Sequence, residues 1–290
     1  MQRIELANAF WRLQLLPHWG GRIARLQAAG LDLLTPIDSE RFDPLDWPRA
    51  GAYPLIPYSN RLRDAQLYFE GVAHRLPAHP AALPHTLHGV SHTLAWQVLE
   101  HSPTHLSLAC DYAGEHWPWP LRAEQNFSLH GDTLTLGLRV TNCGQQPMPA
   151  GLGLHPYFQR HPGMRVAFDA AREWAIDADY LATGASTAPI TPSEIDADSP
   201  QALARYLSQW DGQLLIDYPQ GRLQLRADAV LDHLVVFAPA RSPYLCLEPV
   251  SHLADAFNRP ASQWPQVGTR RLAPGASLHT ELNFTWRPAH

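Results

Sequence analysis

Apolar and polar positions alternate along most of the chain with a period of two residues. Leu134, Leu136, Leu138 and Val140 fall on one side of a run whose other side carries Thr133, Thr135 and Arg139. Leu106, Leu108, Cys110 and Tyr112 repeat the pattern, as do Leu94, Trp96 and Val98. Near the end, Leu278, Leu282, Phe284 and Trp286 oppose His279, Glu281, Asn283 and Thr285. Period two is the signature of a strand with one buried face. Further strand-like runs occur at Arg222–Ala227, His233–Ala238 and Tyr244–Glu248, and His130-Gly131-Asp132 reads as a hairpin connection. One segment breaks the pattern. Ser199 as N-cap and Pro200 at the first helical position precede Leu203, Tyr206, Leu207 and Trp210 at helical spacing, which predicts a helix there. Many short strands separated by turn residues imply an all-β, antiparallel β-sandwich with one or two short helices, and exclude a βαβ fold. No repeat or charged linker divides the 290 residues, so residues 1–290 are expected to form a single domain.

Composition narrows the partners. A net charge of −5 without any basic run speaks against nucleic acid and anionic membranes. Charged residues make up 17%, below the roughly 25% of typical chains, while Pro (27) and Trp (10) are abundant, as suits strands, loops and a site that stacks flat ligands. Cys110, Cys143 and Cys246 lie far apart without a CxxC pair, which predicts neither a zinc centre nor a disulfide framework and makes a reducing compartment the default. No apolar stretch reaches the eighteen or so residues of a membrane span, and the start lacks the apolar core of a signal peptide. These features predict a cytoplasmic protein, monomeric or homodimeric, with no cofactor and no metal.

Six patches could carry chemistry. In Gly151-Leu152-Gly153-Leu154-His155-Pro156-Tyr157-Phe158, Pro156 pushes His155 toward an extended backbone, and the glycines allow a close approach by backbone or ligand. In Ser59-Asn60-Arg61-Leu62, Arg61 offers a rigid fork of donors and Asn60 both donates and accepts, a pairing suited to neighbouring hydroxyls. His85, His88 and His92 would share one face of a helix, but Pro84 and Gly89 favour a loop, and no carboxylate stands at metal-ligand spacing. His116-Trp117-Pro118-Trp119-Pro120 suits a sandwich corner better than a sugar platform. In Tyr244-Leu245-Cys246-Leu247-Glu248-Pro249, alternation turns Glu248 away from Leu245 and Leu247, at a strand end that Pro249 terminates on the rim of a sheet. Asp211, in Trp210-Asp211-Gly212, follows the predicted helix.

Taken in order, these patches resemble the aldose 1-epimerase (galactose mutarotase) family. The matching motifs are Asn60-Arg61-Leu62, His88-Gly89, Pro118-Trp119, Gly153-Leu154-His155-Pro156-Tyr157-Phe158, and Glu248-Pro249 followed by Asp255-Ala256-Phe257-Asn258. The opening Pro17-His18-Trp19-Gly20-Gly21-Arg22-Ile23 is similar to the family's first hairpin, so the likeness spans nearly the whole chain. Leu62 and Ser251 depart from the usual isoleucine and threonine. The resemblance implies a large twisted antiparallel β-sandwich (a galactose mutarotase-like supersandwich) and interconversion of the α and β anomers of a free aldohexose. It implies Glu248 as general base, His155 as general acid, and Asn60, Arg61, His88 and Asp211 as substrate-binding residues. Ring opening and closure need one acid and one base, expected on opposite sides of the sugar. Glu248 would be ionised at neutral pH without tuning, and His155 would be protonated in part. A sugar-binding or sugar-sensing protein on the same fold is the competing reading. It needs the aromatic platforms but not the acid–base pair.

Overall fold

The computed structural model describes residues 3–189, 193–196 and 201–289. The alternating runs become strands, and the strands join into an eighteen-stranded antiparallel sheet accompanied by two small two-stranded sheets. The result is the large twisted antiparallel β-sandwich expected. Leu134, Leu136, Leu138 and Val140 are all buried on strand Thr133–Asn142, which pairs on one side with Trp117–His130 and on the other with Ser277–Pro288. His130 faces Thr133 across the turn, and Gly131 there has φ 55°, a conformation that glycine adopts without steric cost. Leu94, Trp96 and Val98 do not share a strand face. Trp96 is buried, with its indole N–H donating to the Ser91 carbonyl, while Val98 lies exposed on the strand Gln97–Ser102.

The sandwich works as one series of ladders. Ile4–Ala7, Trp11–Leu16, Arg22–Ala28 and Ala52–Pro54 pair in turn, and Ala52–Pro54 pairs with Leu154–Gln159. Leu154–Gln159 then pairs with Tyr244–Val250, which pairs with His233–Ala238, which pairs with the first half of Leu203–Tyr218. Pro156, which has no N–H to contribute, sits where its strand passes from one partner to the other. Most of the apolar side chains pack in one cluster running from Ile4 to Trp286.

The helix expected after residue 199 is replaced by a strand. Ser199 and Pro200 lie outside the described residues, but Leu203, Tyr206, Leu207 and Trp210 belong to the strand Leu203–Tyr218. Tyr206, Ser208, Trp210, Leu214, Ile216 and Tyr218 are buried at even positions. Leu207 is buried too, because the opposite face of this half-strand is also covered. That extra apolar residue makes a period of two imitate a helical stripe, and ladder bonds to Arg165–Ile176 and His233–Ala238 decide the outcome. The one α-helix among the described residues is the single turn Trp264–Val267.

The glycines of the His155 motif accommodate side chains of the protein itself. A Cβ built on Gly151 would lie 2.0 Å from Cδ2 of His252 and 3.0 Å from Oγ of Ser251. Both neighbours are engaged: Ser59 N–H donates to His252 Nε2, and Leu152 N–H donates to Ser251 Oγ. Gly151→Ala is therefore expected to cost about 1–3 kcal/mol. Urea unfolding of the two proteins measures it, and an unchanged midpoint would show that His252 moves aside freely.

Candidate active site

One row of residues crosses five strands and forms the floor of an open cleft. Tyr53 faces His155 across the Ala52–Pro54 ladder. The bracketing partners Tyr157–Cys246 and Gly153–Val250 place His155 opposite Glu248. Val235 faces Glu248 from the next strand, and Tyr206 faces Val235 from the one after. Residues opposed in register point to the same side of a sheet, and all five line the same cleft of about 740 Å³. Glu248 is thus on a central strand with partners on both sides, and the strand continues through Pro249 to Val250. The rim position expected from Pro249 is overturned: the Pro249 position carries no bond that interrupts either ladder.

Loops build the walls. Asn60 and His88 hold each other: Asn60 N–H donates to His88 Nδ1 at 3.0 Å, and His88 N–H donates to the Asn60 carbonyl at 2.9 Å. A neutral His88 accepting at Nδ1 carries its proton on Nε2 and acts as a donor. Both residues adopt left-handed backbone (φ 61° and 62°), and Gly89 follows at φ 68°. Non-glycine residues there store of order 1–3 kcal/mol each, strain that the reciprocal bonds hold in place. The Asn60 side chain is largely spent within the protein. Its Nδ2 donates to Tyr206 Oη at 2.8 Å and its Oδ1 accepts from Arg61 N–H, so it orients Tyr206 and Arg61 more than it offers free donors. The Arg61 guanidinium lies over the Tyr180 ring, 5.2 Å from its centroid.

Supporting residues place that loop. Asp255 Oδ1 accepts from Arg63 N–H and from Asn258 Nδ2, and Asp255 N–H donates to the Arg61 carbonyl. Asp255-Ala256-Phe257-Asn258 is therefore a clamp on the Arg61 segment. Arg63 donates to Asp177 at 2.7 Å, and Asp177 in turn accepts from Asp179 and Leu181 N–H, fixing the loop that carries Tyr180.

His155 and Glu248 stand closer than expected. His155 Nε2 and Glu248 Oε1 are 3.4 Å apart, and both side chains are buried. No sugar fits between them, so the expectation of groups on opposite sides of a ring is corrected. Both must address the same edge of a ligand. The His155 ring packs against Tyr53 and Tyr157, with centroids 4.7 and 4.6 Å away. Beneath Tyr53, the fully buried Arg22 guanidinium sits 4.3 Å from that ring's centroid and donates to the His92 carbonyl.

Burial reverses the expected protonation. Loss of solvent pushes the Glu248 carboxyl up to about 8, although the Arg61 charge works to lower it. Burial first, then Arg22 and Arg49, hold His155 down at about 3. Burial and the neighbouring His155 also keep His88 well below its usual value. Burial thus favours the neutral form of each group, the protonated carboxyl and the uncharged imidazole.

Of the residues singled out in the sequence, His155, Glu248, Asn60, Arg61 and His88 converge on the cleft, and Asp211 does not. Asp211 is exposed, and its Oδ1 accepts from Gln213 N–H at 2.9 Å. It belongs to a two-residue insertion: Phe168 and Ala170, two apart, face Leu214 and Trp210, four apart. His85 is also elsewhere, with its Nδ1 accepting from Asp64 N–H. Trp117 and Trp119 pack in the core. Trp47, Arg49, Tyr53, Tyr180 and Phe237 line the cleft without having been singled out. Tyr53 and Phe237 lie on strands whose facing depends on long-range register, and Trp47, Arg49 and Tyr180 lie in loops that carry no period.

This chain belongs to the aldose 1-epimerase family, whose model matches residues 2–285. It is 30% identical over 249 residues to the uncharacterized Escherichia coli K12 protein YphB, covering 81% of this chain and 83% of that one. Its fold matches a galactose mutarotase-like protein from Clostridium acetobutylicum with a TM-score of 0.88 at 19% identity, over 99% of this chain and 95% of the other. It also matches the GalM/aldose epimerase homologue from C. elegans with a TM-score of 0.84 at 18% identity, over 100% and 99% of the two chains.

The raised Glu248 carboxyl has a consequence for stability. A group that binds its proton more tightly when folded contributes fully below its ordinary value, and the contribution is lost as pH rises through about 8. Glu248→Gln lacks this loss. The melting temperature of the variant relative to the parent is therefore expected to rise between pH 5 and pH 8, by roughly 2–4 °C or more. A difference that stays flat across that range would mean the carboxylate is solvated.

Proposed function

We propose that the protein is an aldose 1-epimerase that interconverts the α and β anomers of a free aldohexose by general acid–base ring opening and closure. The observation that carries this reading is the contact of His155 and Glu248, 3.4 Å apart on the floor of an open cleft. The C1 hydroxyl and the ring oxygen are bonded to the same carbon, so an acid and a base that must serve both need to be neighbours. Opening takes a proton from the C1 hydroxyl and gives one to the ring oxygen. The proton count is unchanged, and a pair that holds one proton between two groups meets that demand in both directions. Rotation about C1–C2 in the open aldehyde, followed by closure with the roles exchanged, gives the other anomer.

In this scheme the proton passes from Glu248 to His155 as the sugar binds, which leaves Glu248 as the base and His155 as the acid. A carboxyl raised toward neutrality is a better matched base than an ordinary one, because its affinity for the proton lies close to the working pH. The imidazole becomes a donor when the carboxylate beside it is charged, since an anion at 3.4 Å favours the imidazolium. His88 Nε2–H and the Arg61 guanidinium are the donors that hold hydroxyl groups and keep the ring oxygen near His155 during the rotation. Tyr206 and Tyr180 supply faces against which the sugar rests. Asn60 supports these groups through Tyr206, and Asp211 has no part.

Glu248→Gln and His155→Asn are each expected to lower kcat by at least about 10²-fold while the protein stays folded. Polarimetry on freshly dissolved α-glucose or α-galactose reads this directly. Full activity in both variants would remove the assignment, and sugar binding without any acceleration in the parent protein would make it a sensor. Arg61→Ala is expected to raise KM and leave kcat within a few-fold, as for a group that binds ground and transition states alike. Unchanged KM with a collapsed kcat would move Arg61 into the transition state.

A further inference from the structure

Beneath the cleft lies a donor that the proton transfer does not use. Cys246 precedes Glu248 by two residues on strand Tyr244–Val250, so both point to the same face, and Cys246 is opposite Tyr157 as Glu248 is opposite His155. A ring nitrogen of His155, Sγ of Cys246 and a carboxylate oxygen of Glu248 all lie within 4.8 Å of one another, and all three residues are buried. The arrangement is set by backbone register more than by long side chains: same-face neighbours along a strand and across a ladder are each a fixed few ångströms apart. It is therefore present before any ligand arrives.

The donor set selects its ligand. Zn²⁺ binds Cys sulfur, His nitrogen and carboxylate oxygen at roughly 2.0–2.3 Å in a tetrahedron, whose edges are then about 3.3–3.7 Å. The His155–Glu248 separation of 3.4 Å is already such an edge. A thiolate and a carboxylate together balance the charge of a dication, the condition for holding it where water is scarce. A sulfur donor disfavours Mg²⁺ and Ca²⁺, which take oxygen ligands. We propose that His155, Cys246 and Glu248 form a three-ligand site for a borderline-soft divalent cation of the Zn²⁺ type, with the fourth coordination position open to the cleft. Binding releases the Cys246 thiol proton and the proton shared by His155 and Glu248 to solvent. Both acid–base groups become ligands, and the cation is an inhibitor of anomer exchange that competes with the sugar.

The test uses the full chain, freed of metal with a chelator and titrated with ZnCl₂ in a calorimeter, with MgCl₂ as the contrasting cation. One equivalent of Zn²⁺ is expected to bind at least tenfold more tightly to the parent than to Cys246→Ser or Cys246→Ala, with no Mg²⁺ binding at the site. CoCl₂ is the spectroscopic probe: a thiolate-to-cobalt absorption band in the near ultraviolet is expected in the parent and absent from both variants. Equal Zn²⁺ affinity in parent and variants would overturn the site by assigning binding to surface histidines. A cobalt complex of the parent without the thiolate band would overturn it as well, and needs no variant to fold. Inhibition of polarimetric anomer exchange by Zn²⁺ is the functional readout. A parent protein without mutarotase activity would defeat the proposed function, while calorimetry and the cobalt band would still decide the metal site.

Discussion

The structure depends on one register: strand Leu154–Gln159 laid against Tyr244–Val250 so that His155 meets Glu248. A slip of one residue would turn the whole of either strand over and send one of the pair to the opposite face. That register is held from both sides. Ala52–Pro54 pins the first strand and His233–Ala238 pins the second, and the same two neighbours deliver Tyr53 and Val235 to the cleft. The site is therefore as rigid as the sheet beneath it. The loops supply only what a sheet cannot, namely donors that reach over the ligand from above.

Burial does two things to this pair. It keeps most solvent off both groups, and it favours the neutral form of each, raising the Glu248 carboxyl and lowering the His155 imidazole. The neighbouring rings share in the effect. Tyr53 and Tyr157 pack against the imidazole, and the buried Arg22 guanidinium beneath Tyr53 adds a charge that opposes a second one on His155. Arg22 faces ring surfaces of Tyr53, Phe42 and Trp47 in place of a carboxylate. An acidic partner there would have cancelled that influence.

The walls rest on stored strain. Asn60 and His88 are both left-handed, a conformation that costs free energy unless the surroundings impose it. Here each supplies the other with a hydrogen bond, and the Asp255 clamp holds the adjoining Arg61 carbonyl. Sequence segments nearly two hundred residues apart thus fix a single guanidinium over the cleft. This explains why Asp255-Ala256-Phe257-Asn258 accompanies the site without touching the chemistry.

Most of the architecture was readable from local pattern, because alternation of apolar and polar residues is a property of each strand alone. The runs at Thr133–Asn142, His233–Ala238 and Tyr244–Glu248 needed nothing else, whereas His155, Glu248, Asn60, Arg61 and His88, which line one cleft, were expected together from the family resemblance. The failures share one cause. Leu203–Tyr218 imitates a helix because both faces of its first half are covered, and covering is supplied by strands far away in sequence. Asp211 was expected in the site from the family resemblance alone, and a bulge that no local pattern reveals sets where it points. Composition and periodicity could determine that this chain is a β-sandwich, while the pairing of a histidine with a carboxylate came from the family resemblance. Only the folded sheet could decide that the two stand 3.4 Å apart in a buried floor, because separation and burial are properties of paired strands and of no single stretch of chain.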